Sequence, residues 1–445
     1  MPEEERQKRE AEKADKRKAR KNNGAKRDMH YEMEQEEHDV YPDDPDFDIN
    51  KARLVTTAPR ICVRYECVPM RFIKHVYKIH TYAQDGRLFE GKTPVSAFLN
   101  SSYDGSFIAG LMELRYIQSL PVERIINYFE SHGFTLKKPT AHKLMEKASS
   151  LFENLYKCIR QTALGDPYKA ADETYYKILV PEKNSKGKGV RKGYLWVVVG
   201  INTRMIYLLY DDGSRSEKVI LNELGGCKGI IQSDGYSPYR KLESDAYPHI
   251  TRIPCLQHIK RKFIDCGEDE PDAKRIVELI NTLYQNEHKH KIGVDGWTVE
   301  QNLVHRKKYA PDILGEIKDV LDDIEERGDL LPKSELKEAI TYLRNEWNAV
   351  VDIFNYGDTY LDNNIVERMN RYISLSRKNS LFFGSHKGAE RGAILYTIAL
   401  TCRMNKVNLF EYLTDVINRT AEWQPNTPLE KYRLLLPDRW EKAND

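Results

Sequence analysis

Apolar and polar positions follow different rhythms in successive parts of this chain, and each rhythm predicts a different kind of element. Residues 51–88 alternate, as in Arg60-Ile-Cys-Val-Arg-Tyr-Glu-Cys and Phe72-Ile-Lys-His-Val-Tyr-Lys-Ile-His, which predicts a small half-buried sheet. Residues 89–165 carry helical spacing. Ser119-Leu-Pro-Val-Glu-Arg opens one helix with a proline near its first turn, Gly133 ends it, and Pro139-Thr-Ala-His-Lys-Leu opens the next. Two helices about a short glycine-containing turn allow a helix-turn-helix, with Lys137, Lys138, His142 and Lys143 near the second helix as candidate DNA contacts. An ordinary helical hairpin fits the same pattern.

From residue 166 the rhythm changes to continuous apolar runs. Tyr168 to Val180, Tyr194-Leu-Trp-Val-Val-Val-Gly-Ile and Met205-Ile-Tyr-Leu-Leu-Tyr read as neighbouring strands. Ser216 to Leu224 has helical spacing and stops at Gly225-Gly226, Gly229-Ile-Ile-Gln is a strand ending at Ser233-Asp234-Gly235, and His249 to Pro254 is a last strand before a helix. Three meandering strands, a helix, a strand, then strand and helix is the order of a ribonuclease-H-like α/β core with a mixed sheet. A charged helical block at about 263–350 follows, with stripes Val277, Ile280, Leu283 and Leu336, Ile340, Leu343, and reads as an all-helical insertion. Helices are expected again at Asn363 to Leu375 and Gly388 to Arg403. The predicted organisation is a tail (1–50), a small β region (51–88), a helical DNA-binding region (89–165), a ribonuclease-H-like catalytic domain (166–400) and a C-terminal helical segment (401–445).

Composition narrows the classes. At 445 residues, 40% hydrophobic, the chain is long enough for several domains. Its net charge of +2 makes it no polycation, so contact with nucleic acid must come from local basic faces. Lys and Arg dominate Arg6 to Arg27, whereas Asp28 to Asp48 is acidic; such blocks read as disordered. The odd set of 7 scattered cysteines fits reduced thiols better than a disulfide framework. With no signal-like leader and no apolar run of about 18 residues, the expected location is the cytoplasm, without membrane association. Cys62, Cys67, His75 and His80 invite a zinc reading, but four residues separate the cysteines instead of two, and strand residues are the simpler account.

Three acids stand at the edges of apolar segments: Asp172 in Ala-Asp-Glu-Thr, Asp234 in Gln-Ser-Asp-Gly-Tyr, and Glu367 in Asp-Asn-Asn-Ile-Val-Glu-Arg. Asp172 on the first core strand and Asp234 at the end of a neighbouring one can share a site, and Glu367 on a following helix can complete it. Convergent carboxylates suit hard divalent cations, and two ions about 4 Å apart clamp the attacking and leaving oxygens of a phosphoryl transfer. Each acid also has a plain alternative: a solvated or turn-capping aspartate for the first two, a capping box with Asn364 or a pair with Arg371 for Glu367. Cys255-Leu-Gln-His258 is half of a zinc pattern without a second half nearby, and reads as a structural feature packing under the site or orienting a carboxylate. Lys260, Arg261 and Lys262 on the same helix, and Arg368, Arg371, Arg377 and Lys378 after Glu367, are candidate phosphate contacts.

These residues resemble the transposases of the insertion-sequence-66 family, in the DDE group. The resemblance runs from about Ser96 to Trp440. It rests on Ala171-Asp-Glu-Thr with Gly193-Tyr-Leu-Trp, Ser233-Asp-Gly-Tyr, Cys255-x-x-His-x-x-Arg-Lys-Phe263, Asp362-Asn-Asn-x-x-Glu-Arg-x-x-Arg371, Arg377-Lys-Asn-x-Leu-Phe-x-Gly-Ser385 and Leu435-Leu-Pro-x-x-Trp440. The resemblance implies a ribonuclease-H-like core with Asp172, Asp234 and Glu367 as catalytic and metal-binding triad, and Mg²⁺ as cofactor (two ions, with Mn²⁺ able to substitute). It implies DNA partners, namely the element's terminal inverted repeats and target DNA, and hence a nucleoid-associated protein. A homo-oligomer on paired ends and two small accessory proteins of the element are further implied partners. The cysteine-rich zinc segment common in the family lacks its paired Cys-x-x-Cys hooks here, which argues against an N-terminal zinc site. The rival expectations are a catalytically silent DNA-binding derivative of a transposase and a nuclease of the same fold.

Overall fold

The apolar runs assemble into one sheet, and everything that bears on function is arranged around its centre. The computed structural model describes the chain from Met70 onward, except residues 76–80, 85–86, 91–96, 99–100, 183–186, 188, 329, 422, 425 and 443–445. The expectations for the charged tail, for Cys62 and Cys67 and for His80 lie outside the described residues. Met70–Asp445 forms one unit. It begins with a two-stranded antiparallel ribbon, β1 (Thr81–Gln84) and β2 (Arg87–Glu90).

Four helices follow: α1 (Gly105–Tyr116), α2 (Val122–Ser131), α3 (Lys138–Leu151) and α4 (Glu153–Gly165). Asp104 caps α1 by accepting from the Ser106 N–H at 2.8 Å. Gly133 lies just past α2 at φ +83°, a left-handed conformation that glycine adopts without strain. Pro139 occupies the first turn of α3, where its missing N–H costs nothing. Phe107 of α1, Phe129 of α2, Phe134 in the turn before α3 and Phe72 pack together, with ring centres 4.8–5.9 Å apart.

The sheet contains β3 (Tyr168–Leu179), β4 (Val190–Gly200), β5 (Met205–Leu209), β6 (Gly229–Ser233) and β7 (Ile250–Pro254), in the order β5-β4-β3-β6-β7. The first three are antiparallel neighbours; β6 pairs parallel to β3, and β7 parallel to β6. The protein is thus mixed α/β with a mixed sheet. Between β5 and β6 lies α5 (Glu217–Leu224), capped by Ser216 and stopped at Gly225. Val197, Val198 and Val199 of β4 are fully buried, as expected of a central strand with both faces covered.

After β7 come α6 (Leu256–Ile264), then the inserted helices α7 (Pro271–Glu287), α8 (Val299–Arg327) and α9 (Glu335–Ile353). A capping box between Thr298 and Gln301 starts α8, and Gly328 at φ 68° ends it. Ile276, Ile280, Leu283, Leu321, Ile340 and Leu343 fill a second core, which meets the sheet through Tyr168, Ile230 and Ile253. The expected stripe residue Val277 is only partly buried and Ile276 takes the inner position. The chain returns to the sheet with α10 (Asn364–Asn379), α11 (His386–Met404), α12 (Leu409–Thr420) and α13 (Leu429–Arg433). The boundary expected at residue 400 falls inside α11, whose Thr397 and Thr401 hydroxyls bond the β5 backbone. Among the described residues, no helix is long and apolar enough to cross a membrane.

Candidate active site

Register brings two acids to one place. Ala170 of β3 is level with Gln232 of β6. Side chains alternate along a strand, so Asp172 and Asp234, each two residues further on, come level on one face where the parallel pairing ends. Asp172 Oδ1 accepts from the Glu173 N–H at 2.8 Å, and Oδ2 accepts from Asn370 Nδ2 at 2.7 Å. Burial, then the charges of Glu173 and Asp234, push its carboxyl up to about 8. Those three causes, burial first, outweigh the two hydrogen bonds, so the carboxyl keeps its proton at neutral pH in the absence of a cation.

Asp234 is held from behind. Its Oδ1 accepts from the Tyr236 N–H at 3.1 Å, an Asx turn. Its carbonyl accepts from buried Arg252 at 2.7 Å, and that guanidinium also bonds Ser233 Oγ at 3.0 Å, Glu243 at 2.6 Å and fully buried Glu346 of α9 at 2.5 Å. The Gly235 N–H donates to Tyr342 Oη at 2.8 Å. Glycine is required there because a Cβ would lie 2.6 Å from the Tyr342 ring. The insertion therefore buttresses the turn that carries Asp234, a role that helical periodicity alone does not reveal.

Glu367 arrives on α10. The N-cap residue Asn363 makes no capping bond with its side chain; its Nδ2 donates to the Ala171 carbonyl at 3.0 Å, next to Asp172. Asn370, one turn beyond Glu367, is the amide that bonds Asp172. The alternative of a capping box around Glu367 is not realised, because the Asn364 N–H is taken by the Asp362 carboxylate. Glu367 faces α6: its Oε1 lies 3.8 Å from His258 Nε2. Cys255 Sγ, a His258 ring nitrogen and a Glu367 oxygen lie within 4.8 Å of one another. The structure thus sets Asp172 and Asp234 against each other electrostatically, and sets Glu367 one helical turn from the amide on Asp172.

Sequence reasoning passed over Glu173 because it points to the other face of β3 from Asp172. Its side chain is only 5% exposed, it is paired with Arg215, and its carboxyl is raised chiefly by burial, with Asp234 adding to the rise. Asn363 was quoted only as part of the Asp362-Asn-Asn motif, and Asn370 was passed over; a neutral amide on a charged helix gives no signal until the helix is docked.

The candidate phosphate contacts divide by how free they are. Arg261, Lys262, Arg368, Arg371 and Lys378 are exposed, and Lys260 is half-buried. Lys262 Nζ sits 6.0 Å from the Tyr342 ring centre. Arg377 is engaged with β3: it donates to Thr174 Oγ1 at 3.2 Å and the Tyr175 carbonyl at 2.7 Å, and stacks 4.1 Å from the Tyr175 ring. At α3, Lys137, Lys138 and Lys143 are all exposed, with Lys138 paired to Glu123 at 2.8 Å.

Among the described residues, Asp172, Asp234 and Glu367 do not form a three-ligand group within 4.8 Å; Glu367 groups with Cys255 and His258 instead, and the oxygens near Asp172 offer a hard cation only part of a coordination shell. Buried Glu367 Oε1, Asn363 Oδ1 and Asn370 Oδ1 have no hydrogen-bond partner, and oxygen is the ligand that Mg²⁺ takes. Buried oxygens left unpaired are costly, so these atoms call for a ligand.

A mixed α/β protein with acids clustered on neighbouring strands, flanked by exposed lysine and arginine, is of the kind that processes nucleic acid. The chain matches the transposase IS66 family over residues 100–391, and it belongs to that family. That span takes in the helices α1–α4, the sheet, the insertion and α10. Among its relatives in Sinorhizobium fredii, the protein y4jD is 25% identical over 346 residues, which are 75% of this chain and 65% of that protein. The chain thus spans just under two thirds of the length of y4jD. The protein y4hP is 24% identical over 438 residues, covering 89% of this chain and 76% of the relative.

Proposed function

We propose that this member of the family is a DDE transposase: it cleaves the ends of its insertion sequence at the terminal inverted repeats and joins the freed 3′-hydroxyls to target DNA. The observation that carries the reading is that Asp172 and Asp234 follow the last β3–β6 pair, Ala170–Gln232, near enough for the Asp234 charge to raise the Asp172 carboxyl, with α10 bonded to Asp172 and its neighbour Ala171. The strand order β5-β4-β3-β6-β7, antiparallel then parallel, supports a ribonuclease-H-like core.

In this reading Asp172, Asp234 and Glu367 would hold the divalent cations, which would supply Lewis acidity towards the attacking hydroxyl and counter-charge for the leaving oxygen. The protein does the positioning. Asn370 fixes the rotamer of Asp172, Arg252 and Tyr342 fix the turn of Asp234, and Asn363 fixes the start of α10 against β3. Exposed Arg261, Lys262, Arg368 and Arg371 bind phosphates on either side of the scissile one.

The test is a cleavage and joining assay on DNA bearing the element's own ends, with Mg²⁺ or Mn²⁺. Asp172→Asn, Asp234→Asn and Glu367→Gln should each reduce joined product by about 10³-fold, with end binding within about threefold of the parent. Joined product from all three variants at the parent's level overturns the triad. Wild type that binds the ends and cuts nothing is the catalytically silent derivative, and cleavage without joining marks a nuclease.

A further inference from the structure

The mechanism above uses Glu367 but leaves its two most distinctive neighbours without a task. Cys255 is the N-cap residue of α6 and His258 lies in its first turn, so both side chains cover the same end of that helix. The packing of α10 brings Glu367 to them from 109 residues further along the chain. The sulfur, a ring nitrogen and a carboxylate oxygen lie within 4.8 Å of one another. His258 Nδ1 and Glu367 Oε1 are buried atoms without a hydrogen-bond partner, and the Asn363 N–H steadies the sulfur at 3.2 Å. Both side chains remain partly open to solvent, at 29% for His258 and 32% for Glu367, so an ion can enter.

This donor set differs in kind from the oxygens at Asp172. Sulfur, imidazole nitrogen and one carboxylate oxygen is what a borderline-soft cation takes, and Mg²⁺ avoids sulfur. We propose that Cys255, His258 and Glu367 form a transition-metal site that binds Zn²⁺, with its fourth position open to water. Ligand atoms around tetrahedral zinc stand about 3.5 Å apart, so the three close in by about 1 Å through side-chain rotation. On binding, the S–H bond of Cys255 breaks, an S–Zn bond forms, and the proton passes to solvent with no change of oxidation state. The site stands on its own geometry. Its consequence alone rests on the proposed function: Glu367 cannot serve zinc and the Asp172–Asp234 pair together, so zinc acts as a competitor of Mg²⁺.

Co²⁺ reports the site directly, because a thiolate ligand gives a near-ultraviolet charge-transfer band that oxygen ligands lack. The full-length, chelator-stripped protein is titrated with Co²⁺ and then with Zn²⁺. Variants are made in a Cys62→Ser, Cys67→Ser background, so that those cysteines cannot contribute. The expected result is a band saturating near one equivalent, bleached by Zn²⁺, absent in Cys255→Ser and at least tenfold weaker in affinity in Glu367→Gln. Glu367→Gln retains the thiol, so it keeps the test decisive if Cys255→Ser fails to fold. No band in the background protein, or a band unchanged in Glu367→Gln, overturns the site. Mg²⁺-dependent joining by a protein with no band would retain the proposed function and remove only this inference; a band in a protein that never cleaves would do the reverse.

Discussion

Burial and two neighbouring acids hold the Asp172 carboxyl up to about 8, well above its ordinary value of 3.8. A raised folded value means that folding takes up a proton. The associated stability is fully present below the unfolded value of about 4 and is lost as pH rises towards 8. Asn at this position removes the penalty while keeping the shape: Asn370 can turn its unpartnered Oδ1 towards the new amide. In metal-free protein Asp172→Asn should therefore raise the melting temperature, by about 5 °C at pH 8, with the gain shrinking to nothing near pH 4. Calorimetry across that range checks it; a gain independent of pH means that the carboxylate's charge is not the cause. Added Mg²⁺ should reverse the ranking. Saturating ion at a hundred times its dissociation constant stabilises the parent by about 2.7 kcal/mol and leaves the variant where it was.

Among the elements, α9 matters most for the site relative to its distance from the chemistry. Its Glu346 and Tyr342 are the partners of Arg252 and Gly235, which flank the Asp234 turn. Without Glu346, Arg252 keeps Glu243 as its counter-charge and loses one charge-assisted hydrogen bond, at about 1.5–3 kcal/mol. Glu346→Ala should therefore lower the urea midpoint by that equivalent and weaken cleavage. Tyr342→Phe, which deletes a single hydrogen bond worth about 1 kcal/mol, should lower kcat and leave end binding intact. If Tyr342→Phe weakens binding instead, α9 serves as a DNA contact and not as a buttress. The elements themselves were legible because each announces itself over short range: Val197 to Val199 by uninterrupted apolarity, α5 by Ser216 and Gly225, α10 by its own spacing. What α9 does was not. Arg252 inside the apolar run of β7 was the only available sign that a buried counter-charge must exist, and no local pattern points to Glu346, 94 residues on. That Cys255 and His258 would lie by a site carboxylate was legible from their place at the start of α6; that the carboxylate is Glu367 depends on how α10 docks against α6, which register and helix packing decide together.

At the scale of the whole molecule, 70 basic residues against 68 acidic ones leave a net charge of only +2. Long-range attraction to DNA is therefore weak, and affinity must come from cations free to release counterions at the phosphates they meet. The structure separates free cations from engaged ones. Arg261, Arg368 and Arg371 are exposed, whereas Arg377 is bonded to Thr174 and Tyr175 and stacked on a ring. Alanine at Arg261, Arg368 or Arg371 should weaken binding to specific and random duplexes alike. Each should also reduce the slope of log affinity against log salt by about 0.9, the signature of one lost phosphate contact. Alanine at Arg377 should leave the slope nearly unchanged and cost about 1–2 kcal/mol of stability, since what it loses is two hydrogen bonds to β3. Lys138, tied to Glu123, should change the slope less than exposed Lys137 or Lys143. Fluorescence anisotropy over a salt series, paired with urea melts, reads both quantities on the same samples. Equal slope changes at Arg377 and Arg371 would mean that DNA draws Arg377 off the sheet, and that the free molecule does not display the surface it binds with.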